Sequence, residues 1–158
     1  MPTKTEQEQT TDRIEKRIEI HAPRERVWRA IANAGEFGTW FRVQLDGEFA
    51  EGAATRGRIT VPGYEHVSVD LQVERIEPER YFAYSWHPYA IDPKVDYSTE
   101  PTTLVEFHLE EIADGTAVTI VESGFDRIPL ERRSEAYRMN DRGWEGQSKH
   151  IAQHVTQR

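Results

Sequence analysis

From residue 13 onward the chain divides into stretches whose apolar positions recur either at every second residue or at helical spacing. Ile14, Ile18 and Ile20 alternate with Arg13, Glu15, Arg17 and Glu19, which predicts a half-buried strand. His21-Ala22-Pro23 interrupts it. Pro23 suits the first turn of a helix, and Val27, Trp28, Ala30 and Ile31 then form an apolar stripe at helical spacing. Asn33-Ala34-Gly35 closes that helix, and Glu36-Phe37-Gly38-Thr39-Trp40 predicts a second short one. A run of strands follows. Val43 and Leu45 end at Asp46-Gly47, and Arg58-Ile59-Thr60-Val61 ends at Pro62-Gly63, where glycine can take the positive φ of a type II turn. Val67, Val69, Leu71 and Val73 alternate with Ser68, Asp70, Gln72 and Glu74. A Glu77-Pro78-Glu79-Arg80 turn leads into 81–87, apolar on both faces.

Residues 88–101 carry three prolines and no steady period, so they read as a long loop, a class of segment often tied to function. Val105, Phe107 and Leu109 alternate with Glu106, His108 and Glu110, and Asp114-Gly115 turns the chain into a last strand over 117–122. The segment 130–155 predicts one long helix. At about 100° per residue, Asn140, Trp144, Gln147 and Ile151 fall at the centre of one face, with Tyr137 and Val155 beside them. Glu131, Arg138, Arg142, Glu145 and Lys149 fall opposite. Gly143 and Gly146 each cost about 1 kcal/mol inside a helix, which calls for a close approach to the sheet or a break. The long helix is the one element able to cover the apolar face of an antiparallel sheet. The predicted class is α+β, a curved sheet of about seven strands wrapped around a C-terminal helix.

Composition adds limits. The sequence has 158 residues, enough for a single domain, read here as 13–158 behind a polar tail at 1–12 that is expected to be disordered. Net charge is −8, which disfavours nucleic acid and anionic membrane surfaces as partners. The absence of cysteine excludes disulfides, thiolate metal sites and thiol nucleophiles. No apolar run approaches the ~18 residues of a membrane span. With no apolar stretch near the N-terminus, a cytoplasmic address is the expectation.

Three segments carry a resemblance. They are Ile18-Glu19-Ile20-x-Ala22-Pro23-x-x-x-Val27-Trp28, then Gly115-Thr116-x-Val118-Thr119-x-Val121-Glu122-Ser123-Gly124-Phe125, and Gly143-Trp144 in the last helix. Together they resemble the START/Bet v 1-like (SRPBCC) helix-grip superfamily, and within it the activator of Hsp90 ATPase homologue 1-like domain, over residues 13–156. The resemblance implies a cavity between the long helix and the concave sheet. The superfamily hosts ligand carriers, lipid-transfer domains, aromatase/cyclases and chaperone regulators, so it implies fold more narrowly than activity.

The candidate site follows from both lines. Asn140 and Gln147 point inward and need a polar group, water or ligand, since a buried amide without a partner costs about 1–3 kcal/mol. Phe37, Trp40, Phe41, Tyr84, Trp86, Tyr137 and Trp144 are candidate pocket walls, joined by Phe107 and Ile151; Phe82, Tyr84 and Trp86 share one face of one strand. Glu122 has the parity of Val118 and Ile120 and therefore points inward. Pairing with an arginine such as Arg132 or Arg133 is expected for it; the alternative is a ligand partner or general acid with a raised pKa. Arg132 and Arg133 themselves read as solvated helix surface. His87, at the mouth of the long loop, is a further acid–base candidate alongside Glu122 and Tyr84, while His66 and His108 face solvent. His150 and His154 stand four apart with no carboxylate between them, so a solvated helix end is expected, with no metal and no cofactor.

Binding of a small hydrophobic or aromatic molecule without reaction is the leading functional expectation. A polyketide cyclase/aromatase-like enzyme, with Glu122, His87 or Tyr84 moving protons, is the alternative. Interaction with Hsp90 is the third, weakened because residues 1–13 cannot supply the second domain of the eukaryotic activator.

Overall fold

A computed structural model describes residues 12–157. Strand β1 (Arg13–Ile20) is followed by helices α1 (Arg24–Ala32) and α2 (Ala34–Phe41). Six further strands come next: β2 (Val43–Leu45), β3 (Ala54–Ile59), β4 (Ser68–Glu77), β5 (Tyr81–Trp86), β6 (Thr103–Ile112) and β7 (Gly115–Ser123). A 3-10 turn (Phe125–Arg127) then leads to the long helix α3 (Leu130–Thr156). The strands form one sheet in the order β1-β7-β6-β5-β4-β3-β2, with every pair antiparallel. This is the helix-grip arrangement, with two short helices after the first strand.

Local chemistry accounts for the ends of the short helices. The Asn33 side chain accepts a hydrogen bond from the Glu36 backbone N–H at 2.9 Å, so the residue that stops α1 also caps α2. Gly38 lets α2 lie against β2, because a Cβ there would stand 2.3 Å from the Val43 carbonyl oxygen. The Trp40 indole donates to the Ala30 carbonyl at 2.8 Å and ties the two helices together.

Helix α3 lies in the curve of the sheet. Trp144 is 2% exposed, and its ring sits 5.8 Å from Phe107 of β6 and 6.1 Å from Trp86 of β5. Ile151 and Val155 are buried on the same face, while Glu131, Arg138, Arg142, Glu145 and Lys149 are exposed opposite. Lys16 of β1 reaches Asp141 at 3.0 Å and Glu145 at 3.4 Å, closing the helix onto the first strand.

Three sequence expectations change. The third strand covers Ala54–Ile59 rather than residues 58–61. Gly57 packs under the Gln44 carbonyl oxygen, where a Cβ would stand at 2.6 Å, so a residue with poor strand propensity is required there by space. Gly143 and Gly146 mark neither a break nor a close approach: α3 runs through both, and a Cβ at either would meet nothing within 4 Å. Arg132 is not solvated surface, as described below. Residues 1–11 of the expected tail lie outside the described residues. Asp12, the last of that stretch, accepts backbone hydrogen bonds from Gly124 and Phe125 through its carbonyl oxygen.

Candidate functional site

The inward face of β7 carries Val118 and Ile120 and then Glu122, so the alternation that buries two aliphatics buries a carboxyl group with them. Glu122 is 0% exposed. Its Oε1 accepts hydrogen bonds from Asn140 Nδ2 at 2.9 Å and Trp144 Nε1 at 2.7 Å. Its Oε2 accepts from Trp86 Nε1 at 2.7 Å and Thr103 Oγ1 at 2.6 Å. The expected arginine partner is thereby corrected. Arg132 binds Glu100, with Nη2 2.7 Å from Oε1, and Arg133 donates to the Ile128 carbonyl. Four uncharged donors surround the carboxyl. Burial drives its pKa above the ordinary carboxylate range, and the four hydrogen bonds pull against that rise.

In front of this cluster lies a pocket of about 550 Å³. Its walls come from four directions. Phe41 ends α2; Ile59, Val67 and Val69 come from β3, β4 and the link between them; Asn140, Gly143 and Gln147 come from the middle of α3. The segment after β5 supplies the fourth side with His87, Tyr89, Ile91 and Tyr97, and the half-exposed Tyr64 stands on the rim. A smaller recess of about 120 Å³ extends toward Trp144 between Phe41, Trp86 and Asn140. Trp86, Asn140 and Trp144 thus each offer one side to open space and a hydrogen-bond donor to Glu122.

The loop that forms the outer wall is held by named contacts. Arg132 lies 4.8 Å from the Tyr97 ring, pairs with Glu100, and donates to the Pro88 carbonyl at 2.9 Å. His87 Nε2 donates to the Glu100 carbonyl at 3.1 Å, and His66 Nε2 to the Ile91 carbonyl at 3.3 Å. Arg132 is therefore a strut under the loop, with 17% of its side chain exposed. The sequence offered a weak signal for this, a basic residue in the first turn of α3 and an acid, Glu100, at the end of the loop carrying three prolines.

The structure brings together part of the predicted set. Phe41, Trp86, His87, Asn140 and Gln147 line the main pocket, Trp144 lines the recess, and Glu122 stands directly behind. Phe37, Trp40, Tyr84, Phe107 and Ile151 lie in the packed core instead. Rings cluster there around Phe37, tilted against Trp40 at 4.7 Å and edge-to-face with Tyr84 at 6.1 Å. The Tyr84 hydroxyl is enclosed and has no hydrogen-bond partner among the described residues, and burial pushes its pKa up strongly. Tyr137 faces β1, where its hydroxyl donates to the Arg13 carbonyl at 2.9 Å. Gln147 donates weakly to the Phe41 carbonyl at 3.3 Å, and its Oε1 is 2.9 Å from His150 Nδ1. His154 turns to Glu36 at 2.9 Å, so the two helix imidazoles serve different partners. Residues of the pocket that sequence reasoning missed are Ile59, Val67 and Val69, read there only as strand positions, and the loop aromatics Tyr89 and Tyr97, which lie in a segment without periodicity.

Comparison with known proteins places this geometry. No curated protein matches the sequence. Among solved structures, protein MLL2253 from Mesorhizobium loti superposes with a TM-score of 0.72 at 22% identity, covering 90% of this chain and 96% of that one. DynU16, a protein of the dynemicin biosynthetic locus, gives 0.71 at 20% identity, covering 92% of this chain and 48% of its own. The Aha1 dimer from Colwellia psychrerythraea gives 0.66 at 17% identity, with 90% and 95% covered. These likenesses establish the fold. The sequence profile described as "Activator of Hsp90 ATPase homolog 1-like protein" matches residues 21–156, which takes in all of the sheet except β1 and all of α3. On that match, and on a seven-stranded sheet closed around its last helix, the chain belongs to the activator of Hsp90 ATPase homolog 1-like family of the SRPBCC-type fold.

Proposed function

We propose that this protein binds a small, largely apolar molecule in the pocket between α3, the β3–β4 edge and the loop after β5. The observation that supports this reading is the wall itself. Aromatic and aliphatic side chains from four parts of the chain meet around about 550 Å³, with the polar groups of Ser68, Asp70, His87, Ser98, Asn140 and Gln147 among them. Ligand sites of this kind hold drug-sized molecules by apolar contact and use the few polar groups for orientation. The cyclase reading has some support in His87 on the wall. Against it, Tyr84 is enclosed in the core and both oxygens of Glu122 are already occupied. A general acid must come within about 3 Å of the group it protonates, so binding without reaction is the reading we adopt. The family description also raises an Hsp90 interaction, which an ATPase assay with purified Hsp90 decides.

Gly143 provides the test. It lines the pocket and sits in regular helix, so a larger residue improves helix propensity while its side chain enters the hollow. Thermal-shift and native mass spectrometry screens against hydrophobic metabolites should find compounds that bind one to one and raise Tm. In Gly143→Leu the free protein should melt at or above the wild-type temperature, yet bind those compounds at least tenfold more weakly. A screen without hits, or a leucine variant that binds as well as wild type, contradicts the reading.

A further inference from the structure

Resting on the pocket reading, we infer that the preferred ligand is an apolar aromatic molecule carrying one protonated amine, with Glu122 as its buried counter-charge. Three observations converge on that class. First, the pocket lining contains no lysine or arginine among the described residues. Its one acidic wall residue, Asp70, is already paired with Arg56 at 2.9 Å. The guanidinium beneath the outer loop, Arg132 of α3, is paired with Glu100 at 2.7 Å. His87 is the one wall residue able to become positive, and its Nε2 is engaged by a carbonyl oxygen.

Second, Glu122 has no cation of its own. Trp86 and Trp144 can only donate through Nε1, and Asn140 Nδ2 can only donate, so at least three of the four contacts are made to acceptor oxygens. Ionised, the carboxylate satisfies all four donors at once. That donor set suits an anion, while the low-dielectric surroundings leave its charge without a partner. A cation in the recess between Phe41, Trp86 and Asn140 would supply one, since Trp86, Asn140 and Trp144 border that space and each donates to Glu122.

Third, the walls suit a cation in their own right. Trp86, Phe41 and the loop tyrosines line the space, and the faces of aromatic rings attract ammonium groups at short range. An anion would meet the opposite conditions on every side: a buried carboxyl behind, no paired donor from arginine or lysine in front, and a chain of net charge −8 around it.

A series with one skeleton and three head groups tests this. The probes are 1-naphthylmethylamine, 1-naphthalenemethanol and 1-naphthoate, titrated calorimetrically into the full chain at pH 7. The amine should bind at least tenfold more tightly than the alcohol, with the carboxylate weakest. In Glu122→Gln the amine should lose its advantage, so that amine and alcohol bind alike. Equal binding of all three to wild type, or tightest binding by the carboxylate, overturns the charge preference and leaves the pocket reading standing. No binding by any of the three overturns both. Should Glu122→Gln fail to fold, the order of the three on the wild-type protein decides alone.

Discussion

At Glu122 two opposing costs meet in one side chain. Removing a carboxyl group from water disfavours its ionised form, while donors from Thr103, Trp86, Trp144 and Asn140 favour it; burial prevails and the folded-state pKa stands above the ordinary 4.5. A raised folded pKa means that the native state holds its proton longer than the unfolded chain does. The stabilising contribution is then full below the unfolded value and is lost as pH rises toward and through the folded one. In urea titrations of wild type and Glu122→Gln, the stability difference between them should therefore shrink as pH increases from 4 upward. The glutamine variant should also be less stable by about 1–3 kcal/mol at the low end, because an amide N–H replaces an acceptor facing indole donors. A difference independent of pH would mean that Glu122 titrates normally. The inward parity of this residue was readable in the Val118, Ile120, Glu122 alternation. Its partners were not, because they sit on three other elements and the sequence offered nearby arginines as the simpler match.

The elements themselves were largely readable, since strands and helices announce themselves by period. The β1 alternation, the two short helices, the β6–β7 hairpin at Asp114-Gly115 and the long last helix all stand where their apolar spacing predicts. The exception is β3, where only Thr55 of Ala54-Thr55-Arg56-Gly57 favours a strand and the segment is held in the sheet by its neighbours on both sides. The segment after β5 has no period to read, so the anchoring of its aromatics could come only from coordinates. Its hold on the body runs through Arg132, which engages Glu100, the Pro88 carbonyl and the Tyr97 ring. Replacing Arg132 with alanine should raise amide hydrogen exchange across 88–101 by about tenfold or more, the loss of about 1–3 kcal/mol of charge-assisted bonding locally. Exchange in β6, β7 and α3 should stay unchanged. Uniform acceleration over the whole chain would show that the residue supports the fold rather than the loop.

For the molecule as a whole, the grip depends on contacts between segments far apart in sequence. Glu36 of α2 is such a point, with Arg26 at 2.8 Å, Arg29 at 3.0 Å and His154 of α3 at 2.9 Å. Partial burial would raise its pKa, but the hydrogen bonds from His154 and the two arginines outweigh burial and bring it below the ordinary value. A depressed folded pKa gives stability that is present above the unfolded value and lost as pH falls through the folded one. Glu36→Gln should cost about 1 kcal/mol near neutral pH, and urea midpoints should show that cost falling away as acid protonates the folded-state carboxylate. The central claim concerns the hollow that this closure leaves open. Two-dimensional NMR of the four tryptophan indole N–H groups reads it most directly, because Trp86 and Trp144 border the space while Trp40 is bound to the Ala30 carbonyl in the core. On titration with a compound that raises Tm, the Trp86 and Trp144 indole resonances should move together and saturate at one equivalent, with Trp40 unmoved. Saturable binding that leaves Trp86 and Trp144 in place would put the ligand elsewhere and contradict the account.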